Sequence, residues 1–491
     1  MSIPTAGIVS KLREPISCNN LSKSAMELHE HRTDVPTVVV GGSSSGVGKT
    51  LVATAFMYHF RRRGFRVQPF KVGPDFIDPS YHEVVSNRQS YNLDAWMMGE
   101  RGILKKFYKA SSGADVAVIE GVMGIFDGVS GKSDFGSTAH VARLLNAQIV
   151  LVVDAGKTGG SIAALIYGFI NFDKKLNVSG VVLNNVGSSK HLKIIRDNMR
   201  GRINIPIVGV ITRNSVLELK ERHLGLIPVL ENRRIAEKKI ISSSQIVSKS
   251  IFFSKFKNLD VKKQMPLPAP SSGRNHEPVV KIAVAKDKSF NFYYADTIES
   301  LEMNDAQVVY FSPIKDNKLP DGTSGIILGG GFPEILADDL EKNHNMKKVI
   351  LQAAQEGMPI YAECGGLMYL TKNLITCKKG KTKKSKMVGL IDADTSMGRR
   401  LTINYTEAEN RSEFFKGISK VRGHEFHYSQ INSIDKDYHF AYSLRRGNGI
   451  HEKKDGLVVY NCLASYMHLN FGADDRLGKR IVELSRAYSR Q

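Results

Sequence analysis

The chain has 491 residues, a formal net charge of +21, 42% hydrophobic residues and four cysteines. This length is sufficient for two or three domains with full cores. The apolar runs are shorter than the ~18 residues that a membrane helix needs, which argues against a membrane-spanning protein. The cysteines form no CxxC pair, so neither a disulfide framework nor a zinc site is indicated, and a reducing cytoplasm is expected.

The first half of the chain alternates short apolar runs with helix-like segments, as in a doubly wound α/β fold with a parallel sheet. The predicted strands after the first are Val67–Phe70, Val116–Ile119, Gln148–Val153, Ser179–Leu183 and Ile207–Ile211. The predicted helices between them include Thr138–Leu145, Ser161–Phe172 and His191–Met199.

A phosphate-binding loop is predicted between the strand that contains Val38–Val40 and the helix Leu51–Arg63. Backbone N–H groups of such a loop cradle phosphates, Lys49 neutralises them and the Thr50 hydroxyl reaches Mg²⁺. Ser43 stands where the strict P-loop spacing has glycine, so the motif is a variant. The predicted ATP-binding residues are Gly46, Gly48, Lys49 and Thr50.

Acidic residues follow two of the predicted strands of this half. Because ligands bind at the carboxyl ends of strands in an open α/β sheet, Asp75 and Glu120 are expected near the phosphate-binding loop. Carboxylate oxygens suit Mg²⁺, so Thr50, Asp75 and Glu120 are the predicted metal-binding residues. Asp78 and Asp127 lie in the same two stretches and are the predicted substrate-binding residues. Each acid taken singly could instead cap a helix or close a turn.

The composition divides the chain into a polar extension (1–35), a nucleotide-binding domain (36–245), a Ser-, Lys- and Pro-rich linker (246–278) and a second α/β domain (279–491). The lysine-rich segment Lys378–Lys386 is predicted to be a solvated loop. The predicted elements of the second domain include Val279–Ala285, Ala306–Phe311, Gly325–Leu328, Pro359–Ala362 and the final helix Asp474–Tyr488.

Cys364 ends an apolar run and precedes two glycines and a helix-like segment, the pattern of a nucleophile elbow. A buried structural cysteine is the alternative for an isolated residue. An activated cysteine needs a base, and His468 at a predicted strand end can supply it. Gly329, Gly330 and Gly331 follow another strand, and their N–H groups could stabilise an oxyanion. Together these residues predict amide hydrolysis.

These residues resemble the class I glutamine amidotransferases, and within them the cobyrinic acid a,c-diamide synthase family. The resemblance covers nearly the whole chain from about residue 36, and the first half is also similar to dethiobiotin synthetase. The stretches that carry it are Ser45–Thr50, Phe70–Pro79, Asn92–Met97, Glu120–Gly128, Arg222–Leu226, Arg422–Tyr428 and Ala464–His468.

The resemblance implies an ATP-dependent amidation. Glutamine would be hydrolysed at Cys364 through a γ-glutamyl thioester, and ATP would phosphorylate the a- and c-side-chain carboxylates of a tetrapyrrole before ammonia displaces the phosphate. ATP and glutamine would be co-substrates and Mg²⁺ the cofactor. Many class I enzymes have glutamate two residues after the catalytic histidine, but Asn470 occupies that position here, so no third member of the site is assigned.

Three alternatives remain at this stage. The sister enzyme that amidates nickel sirohydrochlorin shares the same motifs and differs in its macrocycle pocket. A partition-type P-loop ATPase that binds DNA or membrane fits the +21 charge but needs no thiol. A regulatory protein with the amidotransferase fold would not need Cys364 and His468. The favoured interpretation predicts a corrinoid polycarboxylate as partner and neither nucleic acid nor membrane. A homodimer is among the assemblies that the sequence allows.

Overall fold

The structure of the chain is a computed structural model. It describes residues 35–214, 221–222, 225–226, 228–256, 259–263, 280–378, 380–432, 434 and 438–491. The predicted extension up to residue 34, residues 264–278 of the predicted linker and part of the Arg222–Leu226 stretch lie outside the described residues.

The first half contains a seven-stranded, fully parallel sheet with the strand order β3-β2-β4-β1-β5-β6-β7. The apolar runs of the sequence become its buried central strands, because helices cover both faces of a parallel sheet. The strands are β1 (Thr37–Gly42), β2 (Val67–Val72), β3 (Tyr91–Leu93), β4 (Val116–Glu120), β5 (Gln148–Asp154), β6 (Asn177–Val186) and β7 (Ile207–Thr212).

The helices of this half connect successive strands, as the doubly wound pattern requires. They are α1 (Lys49–Arg62), α2 (Ile77–Ser86), α3 (Ala95–Ser111), α4 (Thr138–Leu144), α5 (Ser161–Phe172), α6 (Ser189–Met199) and α7 (Arg233–Ser248). A two-stranded ribbon of β8 (Glu221–Arg222) and β9 (Gly225–Leu226) precedes α7. Helix α7 crosses residue 245, the predicted end of the first domain, and Phe253 and Phe256 beyond it pack on Phe56.

The second half is built on a larger mixed sheet whose parallel core has the order β12-β10-β13-β15-β22. The first strands of this sheet are β10 (Val280–Ala285), β12 (Ala306–Phe311), β13 (Thr323–Leu328) and β15 (Ile360–Glu363). The short strands β11 (Phe290–Phe292) and β14 (Gly330–Gly331) pair with each other in a separate two-stranded sheet. Its helices are α8 (Ala295–Met303), α9 (Ala337–Lys342), α10 (His344–Gln355), α11 (Gly365–Leu370) and α12 (Arg476–Tyr488).

The remaining strands include β22, which ends the parallel core, and the mostly antiparallel strands that continue the sheet from it. They are β16 (Thr371–Lys378), β17 (Lys381–Lys386), β18 (Ile391–Asn410), β19 (Lys420–Asn432), β20 (His439–Arg446), β21 (Lys454–Val459), β22 (Cys462–Ser465) and β23 (His468–Leu469). The lysine-rich segment predicted as a loop is therefore largely strand β17. Most of its residues are exposed, and β17 pairs only with β16 among the described strands. Lysines on an edge strand oppose pairing with another chain.

Residues 35–491 form one compact unit, in which the two halves contact each other through polar and aromatic groups. The Trp96 indole N–H donates to the Thr406 carbonyl at 3.0 Å. The guanidinium groups of Arg422 and Arg446 lie 4.8 and 4.7 Å from the Trp96 ring centre. The Tyr405 hydroxyl donates to the Asp94 carboxylate at 2.8 Å. These contacts fix the second half against the start of α3.

The observed architecture confirms the predicted fold class of a P-loop domain followed by a second α/β domain. None of the helices in the described part of the chain has the length and hydropathy that crossing a lipid bilayer requires.

Candidate active sites

Cys364 lies in a sharp turn between strand β15 and helix α11. Its backbone has φ 46° and ψ −95°, a region that is costly for any residue with a side chain and that recurs at functional sites. Its N–H donates to the Ser465 carbonyl of β22 at 2.7 Å. A Cβ on Gly366 would lie 2.2 Å from the Leu328 carbonyl oxygen, so the turn requires glycine there. The predicted nucleophile therefore has the backbone geometry of an elbow.

His468 is positioned by a buried carboxylate that adjoins the cysteine in sequence. Its Nδ1–H donates to Glu363 Oε2 at 3.2 Å. The other oxygen of Glu363 accepts the Leu469 N–H at 2.9 Å and the Tyr361 hydroxyl at 2.7 Å. Burial alone would lower the pKa of His468, but its interactions with Cys364 and Glu363 raise it to about 10. The raised pKa favours the imidazole as the holder of a proton beside the Cys364 sulfur. Because Nδ1 is bonded to Glu363, Nε2 is the nitrogen left to face that sulfur.

The three glycines predicted as an oxyanion site lie next to the elbow. Their backbone N–H groups differ in their present partners and in their distance from the elbow. The Gly329 N–H already donates to the Tyr293 hydroxyl at 2.8 Å. A Cβ on Gly330 would lie 2.5 Å from the His468 ring, so only glycine fits against the imidazole. The Gly331 nitrogen is 3.0 Å from the Cβ position of the glycine that follows the cysteine. Gly330 and Gly331 are therefore the members of the set that adjoin the reacting groups.

The phosphate-binding loop lies between β1 and α1. Gly46 and Gly48 have φ of 74° and 97°, a conformation that glycine adopts without steric cost. The Lys49 ammonium donates to the carbonyls of Ser44 at 2.8 Å and Met123 at 2.7 Å. Burial, followed by repulsion from a second lysine, lowers the pKa of Lys49 to about 8. A bound phosphate would provide the negative charge that this buried ammonium lacks.

Strand register brings a network of charged side chains to the end of this loop. Glu120 is opposite Val40 on β1 and Lys71 on β2. The Thr50 hydroxyl donates to Glu120 at 2.7 Å, and the Lys71 ammonium donates to Glu120 at 2.9 Å and to Asp78 at 2.5 Å. Burial would lower the pKa of Lys71, but these carboxylates raise it above its usual value. The lysine is therefore a fixed positive charge between two of the predicted acids.

The remaining predicted acids, Asp75 and Asp127, each bond to the backbone nearby. Asp75 Oδ1 accepts the two N–H groups that begin α2, at 2.7 and 3.0 Å. Its other oxygen is 4.0 Å from the Lys71 ammonium. Asp127 accepts the Gly124 N–H at 2.7 Å and closes a turn. Of the predicted metal-binding set, Thr50 and Glu120 are therefore in contact, whereas Asp75 is bonded to the start of α2.

Three residues of these sites were not singled out from the sequence. Glu363 takes the orienting position beside His468 that the sequence left unassigned. His82 is fully buried and donates from Nε2 to Glu120 at 2.6 Å, and Lys71 joins the acids. Glu363 directly precedes the cysteine, and Lys71 directly follows a predicted strand. The place of each residue in the sequence could therefore have marked it as a candidate site residue. His82 lies in mid-helix, where the sequence offers no such signal.

Both halves of the chain match models of known protein families. Residues 38–227 match the model of the CobQ/CobB/MinD/ParA nucleotide binding domain, and residues 281–476 match the CobB/CobQ-like glutamine amidotransferase domain. A relative from Methanosarcina barkeri called cobyrinate a,c-diamide synthase is 38% identical, and the alignment covers 93% of this chain and 97% of the relative. The chain belongs to the cobyrinate a,c-diamide synthase family. The resemblance found in the sequence is thereby confirmed.

Other members of the family align over equally large parts of the chain. A cobyrinate a,c-diamide synthase from Caldanaerobacter subterraneus is 40% identical, with 92% of this chain and 99% of the relative covered. One from Methanosarcina acetivorans is 39% identical, with 91% and 95% covered. Each alignment covers more than nine-tenths of the chain, so both of its halves are matched.

Proposed function

We propose that the chain uses ATP and glutamine to convert the a- and c-side-chain carboxylates of cobyrinic acid into amides, in the biosynthesis of cobalamin. It is a glutamine-hydrolysing carbon–nitrogen ligase of its family. The observation that carries the proposal is the buried Cys364–His468–Glu363 arrangement in the same compact unit as the P-loop. The names of the family members support cobyrinic acid as the acceptor.

In the amidotransferase half, Cys364 is proposed as the nucleophile. Its thiol proton passes to His468 as the sulfur attacks the side-chain carbonyl of glutamine, and the oxygen that becomes negative is stabilised by N–H groups of Gly330 and Gly331. His468 donates its proton to the departing nitrogen, so that ammonia leaves and a thioester remains. Water, deprotonated by the same imidazole, then attacks the thioester, so that glutamate leaves and the sulfur of Cys364 regains its proton from His468. Glu363 holds the imidazole in one tautomer throughout.

In the nucleotide-binding half, the P-loop N–H groups and Lys49 are proposed to bind the ATP phosphates. Lys49 exchanges its two carbonyl partners for phosphate oxygens when ATP binds. A substrate carboxylate oxygen attacks the γ-phosphorus, and ADP leaves. A carboxylate is a poor acyl donor, and the resulting acyl phosphate supplies a leaving group. Ammonia attacks the acyl carbon and inorganic phosphate departs, so one ATP is consumed for each amide.

Magnesium fits the contact between Thr50 and Glu120. A hydroxyl from the P-loop and a carboxylate from a neighbouring strand are the protein groups that hold Mg²⁺ in P-loop enzymes. When bound, the ion neutralises charge on the phosphates. Thr50 and Glu120 would each give one oxygen, while Lys71 and His82 hold the Glu120 carboxylate in place. The described residues contain no cluster of three His, Cys, Asp or Glu side chains suited to a metal, which accords with a site completed by nucleotide phosphates.

The remaining substrate and location assignments belong to this proposal. Asp78 and Asp127 lie near the ATP-binding loop, and we assign them to the acceptor side of the site. The excess of lysine and arginine suits an acceptor with many carboxylates. A reducing cytoplasm is the proposed location, since Cys364, Cys377 and Cys462 are free thiols.

The test is a direct assay of the acceptor. The purified protein is incubated with ATP, Mg²⁺ and glutamine, together with cobyrinic acid in one reaction and nickel sirohydrochlorin in the other. Mass spectrometry of the macrocycle counts the carboxyl-to-amide exchanges. We expect two exchanges on cobyrinic acid. Preferential amidation of nickel sirohydrochlorin would assign the chain to the sister activity, and no amidation of either would refute an amidoligase function.

A further inference from the structure

One aromatic side chain of the nucleotide-binding half is inserted into the amidotransferase site. Phe76 directly follows Asp75 and precedes helix α2, yet its ring packs on the second half. Its ring centre is 5.3 Å from that of Phe292, with the planes nearly parallel, and 4.5 Å from that of Tyr294. It is also 5.6 Å from His424 and 5.2 Å from His468. The chain segment that contacts Lys71 thus also covers the proposed catalytic histidine.

The other side of Phe76 faces open space. A cavity of about 850 Å³ lies between the two halves and is lined by Asp75, Phe76, Asn92, Tyr293 and Tyr294 among others. Cys364 and His468 are 5% and 1% exposed. The ring of Phe76, together with that of Tyr294, therefore separates the histidine from this cavity.

The groups behind Phe76 are suited to an uncharged nitrogen species. His424 pairs with His468 across strands β19 and β23, and the two rings stack with centres 4.9 Å apart. Its Nδ1 is 3.2 Å from the Tyr294 hydroxyl, and its Nε2 is buried with no partner among the described residues. Burial, and then the neighbouring His468, lower the pKa of His424 well below its usual value. A neutral imidazole with a free nitrogen can hydrogen-bond ammonia without protonating it.

We propose that Phe76 seals the amidotransferase site against the cavity, so that ammonia released at Cys364 stays behind Phe76, beside His424, as it passes towards Lys71 of the nucleotide-binding site. Ammonia that reaches water near neutral pH becomes ammonium, which is not a nucleophile. An aromatic wall excludes water and limits this loss. Asp75, the residue before Phe76, is 4.0 Å from the Lys71 ammonium, so the segment that covers the histidine also borders the nucleotide-binding site. This inference rests on the proposed function.

The experiment uses the full-length variants Phe76→Ala and Phe76→Leu. For each, glutamate release, amide formation and the transfer of [¹⁵N]ammonium from solution into the amide are measured with cobyrinic acid as acceptor. Phe440→Ala is the matched control, since this half-buried phenylalanine of β20 lies under the Lys454 ammonium, 6.0 Å from it. Amide formation from high concentrations of ammonium serves as the internal test of the nucleotide-binding site.

For Phe76→Ala we expect the glutamine consumed per amide to rise about threefold or more, because ammonia escapes when the wall is opened. Incorporation of external ¹⁵N should rise in parallel, while ammonium-driven synthesis is retained and Phe440→Ala behaves as the wild type. Phe76→Leu should leak less than Phe76→Ala, since it keeps apolar bulk.

If Phe76→Ala consumes as much glutamine per amide as the wild type does, the proposed sealing role of Phe76 is wrong. Loss of ammonium-driven synthesis would also overturn it, since Phe76 would then belong to the nucleotide-binding site itself. Equal leakage from both variants would contradict a wall made by apolar bulk. If the wild type makes no amide at all, the proposed function fails and not merely the role of Phe76.

Discussion

Replacing Glu363 by glutamine tests how the amidotransferase site holds its histidine. In the structure the two carboxylate oxygens accept from opposite sides, one from His468 and the other from Leu469 and Tyr361. A glutamine has only one acceptor oxygen. If that oxygen stays on Leu469, the amide N–H₂ faces His468 Nδ1 and favours the tautomer that is protonated on Nε2. That tautomer cannot take a proton from Cys364.

The size of the effect follows from the bond that is lost. A hydrogen bond between a buried carboxylate and an imidazolium contributes about 1.5–3 kcal/mol. Since about 1.4 kcal/mol corresponds to tenfold in rate, kcat for glutamate release should fall about 10- to 150-fold. Substrate binding is not expected to change comparably, because Glu363 contacts the histidine and not the glutamine pocket.

The assay measures glutamate release and ammonium-driven amide formation on the same preparation. Glu425→Gln is the control, because Glu425 is another fully buried carboxylate of this half and accepts N–H groups of Asn448 and Gly449. Ammonium-driven synthesis should be unchanged in Glu363→Gln. A decrease in glutamate release of less than about threefold, or an equal decrease in the control, would refute an orienting role for Glu363.

Two further predictions address the P-loop and the pH range. Lys49→Ala should abolish amide formation with either nitrogen source while glutamate release continues, and product formed by this variant would show that the loop is not the ATP site. Since the pKa of His468 is raised to about 10, its proton is present below that pH and lost above it. Glutamate release should therefore fall as the pH rises through about 10, and at lower pH in Glu363→Gln. If the pH dependence of glutamate release is the same in Glu363→Gln as in the wild type, Glu363 does not raise the pKa of His468.

Much of the first half could be predicted from the sequence, because buried parallel strands appear as continuous apolar runs and the P-loop is a local motif. Strand β3 and helix α2 were not predicted, since short or mixed-polarity segments give no clear periodicity. The lysine-rich strand β17 was predicted as a loop because its side chains lack an apolar alternation. Its pairing comes from the hairpin with β16 and not from its own composition.

In the candidate sites, too, local motifs could be predicted from the sequence, whereas contacts between distant segments could not. The elbow at Cys364 is a local pattern, and its strained backbone agrees with the predicted turn. The partnership of Glu363 with His468 depends on the parallel register that sets Glu363 opposite Ser465. The contact of Phe76 with His468 depends on how the two halves pack. Neither contact can be derived from the spacing of the residues along the sequence.

The central claim is that a thiol in the second half liberates nitrogen which the first half attaches to an ATP-activated carboxylate. The most direct test is amide formation by Cys364→Ala with cobyrinic acid, ATP and Mg²⁺, supplied with either [amide-¹⁵N]glutamine or ¹⁵N-ammonium. The claim predicts no labelled amide from glutamine and labelled amide at the wild-type rate from high ammonium. Labelled amide from glutamine, or failure of ammonium to restore synthesis, would contradict it.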